Sequence, residues 1–173
     1  KVTLIGSATL YKSEYRSNKD AEYVPSSWDN RFIFNLSAVY ELPKYWSIGA
    51  KISAIGGSPY TPYDEDASSL KVSWDAAGRP VYDYTRYNGE RLDPYFQVDL
   101  RVDKNFYFRK WTMGLYVDLQ NVTFSKIRQP DAYLSTGEII NPEDLPLEQR
   151  YILETLELWS GTIVPAIGIT VAF

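Results

Sequence analysis

The chain has 173 residues, of which 45% are hydrophobic and 16% aromatic, and its formal net charge is −4 at pH 7. It contains no Cys and no His, which excludes a disulfide framework, a thiolate metal site and His-based general-base catalysis. No apolar run reaches the roughly 18 residues of a membrane-spanning helix, and the absence of a basic patch argues against a nucleic-acid partner. The chain begins with Lys1 rather than Met, so we expect a mature or truncated segment.

Apolar and polar residues alternate with period two over six stretches, which predicts six β-strands. In chain order the predicted strands are Val2–Leu10, Arg31–Leu42, Trp46–Ala54, Tyr95–Phe108, Trp111–Leu119 and Gly161–Phe173. The first is the least regular, because Ile5 falls on its polar side. The high aromatic content combined with a mean hydropathy of −0.32 suits a β-barrel, whose polar lumen face and loops dilute the average.

The connections between these strands alternate in length. Three are long, namely Lys12–Asn30, Gly56–Leu92 and Val122–Leu158, and two are short, Pro43–Tyr45 and Arg109–Lys110. Compact soluble domains rarely have structureless connections longer than about 15 residues, whereas outer-membrane barrels combine short periplasmic turns with long extracellular loops. Within the last long connection, Glu148–Leu158 has two open interpretations, a helix beginning near Pro146 or an extension of the final strand.

The strongest pattern is the hairpin from Tyr95 to Asn121. A turn at Arg109–Lys110 predicts a register in which Val102 faces Val117 and Arg101 faces Asp118, a favourable cross-strand charge pair. The apolar side from Trp111 to Leu119 carries no charge over about the 9–11 residues that a tilted strand needs to cross a bilayer. A soluble sandwich explains this hairpin equally well by itself, and the alternating connections favour the membrane.

The predicted fold is therefore an all-β transmembrane antiparallel barrel, with long loops outside the cell and the C-terminus in the periplasm. Single-chain membrane barrels have at least about eight strands, and an open strand edge in lipid leaves backbone groups unsatisfied. The first and last strands would both be open edges here, so we expect these strands to belong to a larger barrel. Lys104 falls on the lipid side near a turn, where we expect its ammonium to reach the headgroups.

Several polar and aromatic clusters are candidates for function. The residues predicted to line the lumen wall are Asp99, Arg101, Asp103 and Asp118, for which a structural ion pair or a contact with a plug is favoured over catalysis or a proton relay. The loop aromatics Trp74, Tyr82, Tyr84 and Tyr87 suit stacking on a sugar, chelate or peptide, and packing within the loops explains them equally well. The acidic run Asp64-Glu65-Asp66 could bind a hard cation, but it lacks the spacing of a calcium-binding loop, so a solvated cluster of loop charges is favoured. Gly56-Gly57-Ser58 could suggest a phosphate-binding loop, but it lacks the Lys-Ser/Thr ending and leads into Pro59, so a turn at a strand end is favoured.

Several segments resemble the C-terminal barrel region of TonB-dependent outer-membrane receptors, most closely those of Bacteroidetes-type bacteria. The segments that carry the resemblance are Asn30–Ser37, Tyr40–Trp46, Gly56–Asp64, Arg91–Tyr95, Leu100–Lys104, Leu119–Val122 and Ser160–Phe173. Their order and spacing, more than any single motif, resemble that family, and they cover nearly the whole chain outside the loop interiors.

The resemblance implies a barrel of about 22 strands plugged by an N-terminal domain, of which residues 1–173 are the last six strands. The plug, the earlier strands and the segment that contacts the TonB complex would lie outside this chain. It implies active import of a scarce nutrient (a metal chelate, cobalamin, glycan or peptide), with outer-membrane lipid and a surface lipoprotein as further partners. Phe173 matches the terminal aromatic that such barrels present to the assembly machinery.

Two other functions remain open at the level of sequence. One is a non-transporting outer-membrane barrel, such as an adhesin or passive porin. The other is a barrel enzyme, which would need a His or a nucleophile network from outside this chain. We therefore expect no enzymatic activity, no catalytic, cofactor-binding or metal-binding residue and no cofactor.

Overall fold

The computed structural model describes all residues, 1–173. The strands are β1 (Val2–Leu10), β2 (Glu14–Tyr15), β3 (Val24–Pro25), β4 (Phe32–Leu42), β5 (Trp46–Ile55), β6 (Pro59–Tyr60), β7 (Glu90–Arg91), β8 (Tyr95–Tyr107), β9 (Thr112–Gln120), β10 (Ile127–Arg128), β11 (Ala132–Ile139), β12 (Tyr151–Leu156), β13 (Trp159–Ser160) and β14 (Val164–Ala172). The helices are α1 (Glu65–Ser69) and α2 (Lys71–Ala77), and 3₁₀ turns cover Pro43–Tyr45 and Tyr84–Arg86. Neither helix has the length and apolarity that crossing a membrane requires.

Six long strands form one antiparallel sheet in the order β1-β4-β5-β8-β9-β14. This confirms the all-β class and the six predicted strands. Five of the six agree with the prediction to within one residue at each end, and only the last begins later, at Val164 instead of Gly161. The sheet does not close on itself, because β1 and β14 each pair on one side only.

The predicted register of the β8–β9 hairpin is confirmed. Val102 lies opposite Val117 and Arg101 opposite Asp118, and the backbone N–H of Phe108 donates to the carbonyl of Trp111 at 2.9 Å to close the turn. The rings of these two turn residues stack with centroids 4.1 Å apart. Because a slip of one residue would exchange the two faces, this register fixes which side chains share a face.

One face of the sheet is apolar across all six strands. The pairing places these residues on it: Val2, Leu4, Gly6, Ala8 and Leu10 of β1; Phe32, Phe34, Leu36, Ala38, Tyr40 and Leu42 of β4; Trp46, Ile48, Ala50, Ile52 and Ala54 of β5; Phe96, Val98, Leu100, Val102, Lys104 and Phe106 of β8; Met113, Leu115, Val117 and Leu119 of β9; and Pro165, Ile167, Ile169 and Val171 of β14. Lys104 is the only charged residue in this set, which we call the apolar face.

No hydrophobic side chain in the molecule is buried. On the apolar face, Ile48 is 43% exposed and Ile169 67% exposed, so the face is not covered by any other part of the chain. The opposite face, which we call the polar face, holds every charged residue of β5, β8 and β9 except Lys104, including Lys51, Asp99 and Arg101. The two faces of the sheet thus differ in chemistry, and neither packs into a core.

The long connections contain more structure than predicted. Gly56–Leu92 includes both helices and the β6–β7 pair, and Val122–Leu158 includes β11 and β12. The latter two strands pair with each other, with an irregularity between Ser135 and Ile139. Both interpretations of Glu148–Leu158 are therefore wrong, since β12 is neither a helix nor part of the final strand. The alternating residues from Tyr151 to Leu156 form a strand that pairs with β11, in a hairpin that projects beyond the sheet.

The three long connections (residues 11–31, 56–94 and 121–163) pack against one another at one end of the sheet, and we call them the loop layer. Arg150 donates to the carbonyl of Asp66 at 2.7 Å and to the hydroxyl of Ser69 at 2.6 Å. The backbone N–H of Lys71 donates to Gln149 at 2.8 Å, and the hydroxyl of Tyr151 to Asp75 at 2.9 Å. The projecting hairpin is thereby fixed to the two helices.

Gly56 and Gly57 directly follow β5, as the strand-end interpretation predicted. A Cβ on Gly56 would lie 1.8 Å from the carbonyl oxygen of Asn30, and one on Gly57 1.6 Å from that of Leu92. Both glycines are buried. Only glycine permits backbone segments to approach this closely, so this pair sets how tightly two long connections join the sheet.

We expect Gly57→Ala to loosen the loop layer, because the new Cβ meets backbone that cannot rotate away. The cost is about 1–3 kcal/mol, the usual range for overpacking, and protease cleavage within residues 56–94 should increase. Gly6→Ala is the matched control, since its Cβ would meet the nearest side-chain atom at an ordinary 3.6 Å. Equal cleavage of the two variants would contradict the role assigned to Gly57.

Candidate functional site

A cavity of about 560 Å³ opens in the loop layer and is lined largely by tyrosines. The aromatic lining consists of Tyr60, Tyr63, Tyr82, Tyr84 and Tyr87, and we call it the tyrosine cavity. Residues of the projecting hairpin's base, among them Gln129 and Leu158, complete the wall. Ser27 of the first long connection also lines it, so all three long connections contribute to one concave surface.

Four of the five rings of the cavity lie in a row made of two stacked pairs, which meet at a tilted contact. Tyr63 and Tyr82 lie face to face with centroids 4.6 Å apart, and their hydroxyls are 3.3 Å apart. Tyr84 lies 6.1 Å from Tyr82 and stacks on Tyr87 at 6.4 Å, with the ring planes only 15° apart. Tyr84 is 68% and Tyr87 41% exposed, so the outer half of the row is open to solvent.

The structure brings together three of the four aromatics singled out in the sequence, Tyr82, Tyr84 and Tyr87. Trp74 does not join them, since it lies on α2 and does not line the cavity. Sequence reasoning missed Tyr60 and Tyr63. Their signal was the Pro59-Tyr-Thr-Pro-Tyr run, in which prolines restrict the backbone around both aromatic rings.

No charged side chain lines the tyrosine cavity. Its polar groups are hydroxyls and amides, from Ser27, Thr61, Asn88 and Gln129. Ring faces together with neutral hydrogen-bonding groups suit a ligand that has apolar surfaces and hydroxyl or amide groups. A strongly charged ligand would find no ion-pairing partner inside this cavity.

An acidic cavity of about 330 Å³ adjoins the tyrosine cavity and shares Tyr60 and Tyr63 with it. Its charged lining consists of Asp64, Glu65, Asp83, Asp131 and Arg86. The pKa of Asp83 is lowered to about 2 by the Thr85 hydroxyl, which donates to it, and by Arg86. The pKa of Tyr63 is raised to about 12 by its hydrogen bond with Tyr82 and by burial.

The run Asp64-Glu65-Asp66 has structural roles. Asp64 caps α1 by accepting the N–H of Ala67 at 2.9 Å, and Asp66 lies 3.0 Å from the guanidinium of Arg150. No three acidic residues in the molecule are grouped so that they could hold a metal ion.

The loop layer is anchored by buried polar residues. Asn88 is 6% exposed and adopts a left-handed backbone with φ 51°. Its N–H donates to the hydroxyl of Thr61 at 3.0 Å and its amide to the carbonyl of Pro25 at 2.8 Å. Asn88 therefore joins the first long connection to the wall of the tyrosine cavity.

Asp29 is completely buried beside the ends of β4 and β7. Its carboxylate accepts the N–H of Ser13 at 2.8 Å and pairs with Arg31 at 2.7 Å and Arg91 at 2.8 Å. Arg91 also donates to the carbonyl of Gly57 at 2.7 Å. Burial alone would raise the pKa of Asp29, but the N–H of Ser13 and the two guanidiniums outweigh it and lower the pKa below its ordinary value.

The residues predicted for the lumen wall all lie on the polar face, but the expected Arg101–Asp118 ion pair does not form. The guanidinium of Arg101 stacks over the ring of Tyr116 at 4.0 Å, which directs it along its own strand to Asp103 at 2.7 Å. Asp118 instead accepts from Gln120 at 3.3 Å. These side chains make a row of polar contacts in which no nucleophile and base are paired.

Asp99 has a structural partner as well. It accepts the backbone N–H of Asn121 at 2.9 Å, and Asn121 is 4% exposed with a left-handed φ of 56°. The amide of Asn121 donates to the carbonyl of Ser125 at 2.9 Å. Asp99 thus holds the point where β9 leaves the sheet. At the other end of the sheet, Phe173 follows β14 and is fully exposed.

The chain matches no family model, and no curated protein or solved structure matches it.

We expect Asp29→Asn to open the loop layer at neutral pH, because two guanidiniums lose their shared carboxylate. Hydrogen bonds to a charged group contribute about 1.5–3 kcal/mol each. The measurement is amide hydrogen exchange in residues 11–31 and 56–94 at pH 7. Asp20→Asn is the control, since no ion pair of Asp20 is present, and it should leave exchange unchanged.

The same contact predicts a pH dependence. Because the folded-state pKa of Asp29 is lowered, its stabilisation is complete above the unfolded pKa of about 4 and is lost as pH falls through the lower folded value. Exchange in the loop layer of the wild type should therefore accelerate in acid, whereas Asp29→Asn should lack that step. A step of equal size in both proteins would assign it to other carboxylates.

Proposed function

We propose that residues 1–173 form part of an outer-membrane β-barrel whose apolar face meets lipid, and that this barrel actively imports a nutrient with energy supplied through TonB. The observation that carries the proposal is the apolar face, which extends over six strands and is covered by nothing in the chain. A soluble sheet of this kind would pack its apolar side against another layer. Lipid is a cover that needs no further protein layer.

The dimensions of the sheet fit this environment. The six strands have 9 to 13 residues, and a tilted strand needs about 9–11 residues to cross the hydrocarbon region. Trp46 and the Phe108–Trp111 pair lie at the short-turn end, while Trp28 and Trp159 lie at the loop-layer end. Aromatic residues at both ends of apolar strands are typical of membrane interfaces.

The free edges of β1 and β14 support membership in a larger barrel. Each exposes a row of backbone N–H and C=O groups, and every such group in lipid costs several kcal/mol when unpaired. Additional strands on both sides satisfy them. By the resemblance to TonB-dependent receptors, the rest of the barrel would provide those strands. A plug domain would face the polar residues Asp99, Arg101, Asp103 and Asp118, and a lipoprotein would bind on the outer side.

Import, rather than a purely structural barrel, is supported by the tyrosine cavity. It lies in the loop layer, which in this orientation faces the outside of the cell, and its outer rings are exposed. A cavity of about 560 Å³ is large enough for a small ligand. The polar face below it presents hydrogen-bonding groups toward the interior of such a barrel.

We expect Ile52→Arg to destabilise the native barrel in detergent or lipid by about 2–4 kcal/mol, the cost of a cation at the lipid face near the membrane centre. Ser53→Arg is the matched control, because its neighbours across the strands are Asn35 and Gln97 on the polar face. The measurement is the urea unfolding midpoint of the barrel. Equal effects of the two arginines would argue that neither face contacts lipid.

A second experiment tests import. Cells that depend on the native protein are grown on limiting ferric chelate, cobalamin, glycan or peptide, with and without a protonophore. We expect growth on one of these nutrients to require the proton gradient. We also expect the Tyr82→Ala/Tyr84→Ala variant to need at least about tenfold more of that nutrient for the same growth, since stacking of a ligand ring on an aromatic side chain contributes about 1–3 kcal/mol. Tyr23→Ala, in an exposed part of the loop layer outside the cavity, is the control.

Uptake that persists without the proton gradient would favour a passive porin. No uptake of any nutrient, with the protein correctly inserted, would favour the adhesin.

A further inference from the structure

Lys104, the only charged residue on the apolar face, has an unusual set of neighbours. Its ammonium lies 5.2 Å from the ring centroid of Trp46 and 5.3 Å from that of Phe106. It also donates a hydrogen bond to the carbonyl of Lys44 in the adjoining short turn. A cation between two ring faces is attracted by both rings, so Lys104 is held in place at the edge of the apolar face.

The turn that supplies this carbonyl has a strained backbone. Lys44 and Tyr45 have φ of 60° and 62°, a region that residues with a side chain adopt rarely and at a steric cost. Packing compensates in part, because the ring of Tyr45 rests edge-on against Tyr107 with centroids 4.8 Å apart. Strain retained at an exposed turn is a common feature of binding sites.

Charge is distributed unevenly along the sheet axis. The two short turns contain Lys44, Arg109 and Lys110 and no acidic residue, whereas acidic residues outnumber basic ones in the second and third long connections and equal them in the first. Glu41 and Asp103, the carboxylates nearest to this site in sequence, share the polar face with Ser47. The short-turn end of the apolar face is therefore positively charged and has no carboxylate of its own to neutralise Lys104.

An ammonium has three N–H donors, and the carbonyl of Lys44 accepts one. The remaining donors of Lys104 adjoin an apolar surface that includes Ile48 and Val102. A free phosphate ion would use the donors and leave the apolar surface exposed. A phospholipid uses both, because its phosphate accepts the donors while its acyl chains lie along the face.

We propose that Lys104, Trp46 and the turn at Lys44 bind the phosphate of an anionic phospholipid in the leaflet at the short-turn end. The inference rests on the proposed function, since the apolar face must first meet lipid. Lys104 supplies the ion pair, Trp46 fixes its depth at the interface, and the positive charge of Lys44 adds attraction. This site would fix the position of the barrel along the membrane normal and favour anionic over zwitterionic lipid.

The test is native mass spectrometry of the detergent-released native protein incubated with phosphatidylglycerol, phosphatidylcholine or glycerol 3-phosphate. We expect retention of phosphatidylglycerol, about fivefold weaker retention in Lys104→Gln, and recovery to within about twofold in Lys104→Arg, which keeps the charge. Lys126→Gln is the matched control, because it also removes a lysine charge but lies in the loop layer at the opposite end of the sheet. It should retain phosphatidylglycerol as the wild type does.

Each contrary result identifies what is wrong. Equal retention by wild type and Lys104→Gln, or equal loss in Lys126→Gln, would overturn the site. Competition by glycerol 3-phosphate at the same concentration would show a general anion site and overturn the lipid assignment. If Ile52→Arg is selectively destabilising and Lys104→Gln has no effect, only the lipid site fails, whereas equal destabilisation by Ile52→Arg and Ser53→Arg removes the membrane itself.

Discussion

The structure depends on one constraint, which is that an apolar sheet face of six strands has no protein layer to cover it. Burial of apolar area contributes roughly 25 cal/mol per Å² and is normally the main stabilising term in a domain. Here no hydrophobic side chain is fully buried, so within these 173 residues that term comes only from half-buried side chains. This uncovered face, whose only charged residue is Lys104, is the observation behind our proposal that hydrocarbon covers it.

The loop layer shows how a segment without a hydrophobic core is held together. Four of the buried residues are polar, namely Asp29, Ser68, Asn88 and Asn121, and no buried side-chain polar atom lacks a hydrogen-bond partner. Since an unsatisfied buried group costs about 1–3 kcal/mol, each of these residues specifies one arrangement of its neighbours. The tyrosine cavity is consequently walled by connections that are joined through Asn88 and Asp29, and its shape depends on polar contacts more than on packing.

The strands and the β8–β9 register were predictable because period two is a local signal and a two-residue turn leaves one pairing. The contents of the long connections were not. Asp29 lies in a polar run whose composition indicates only a loop, and its burial depends on Arg91, 62 positions away. The hairpin β11–β12 was missed because its strands lie between polar stretches, and Trp74 was grouped with the tyrosines because composition cannot show that α2 carries it elsewhere.

The polar face shows the same limit at the level of a single contact. The register correctly placed Arg101 opposite Asp118, but the ring of Tyr116 decides where the guanidinium points. That ring in turn extends over Gly168 in β14, where a Cβ would lie 2.2 Å from the ring. A glycine on the last strand therefore controls an ion pair two strands away. Strand pairing identifies which residues are neighbours on a sheet. Which of these neighbours form an ion pair depends here on the space that Gly168, on a third strand, leaves for the ring of Tyr116.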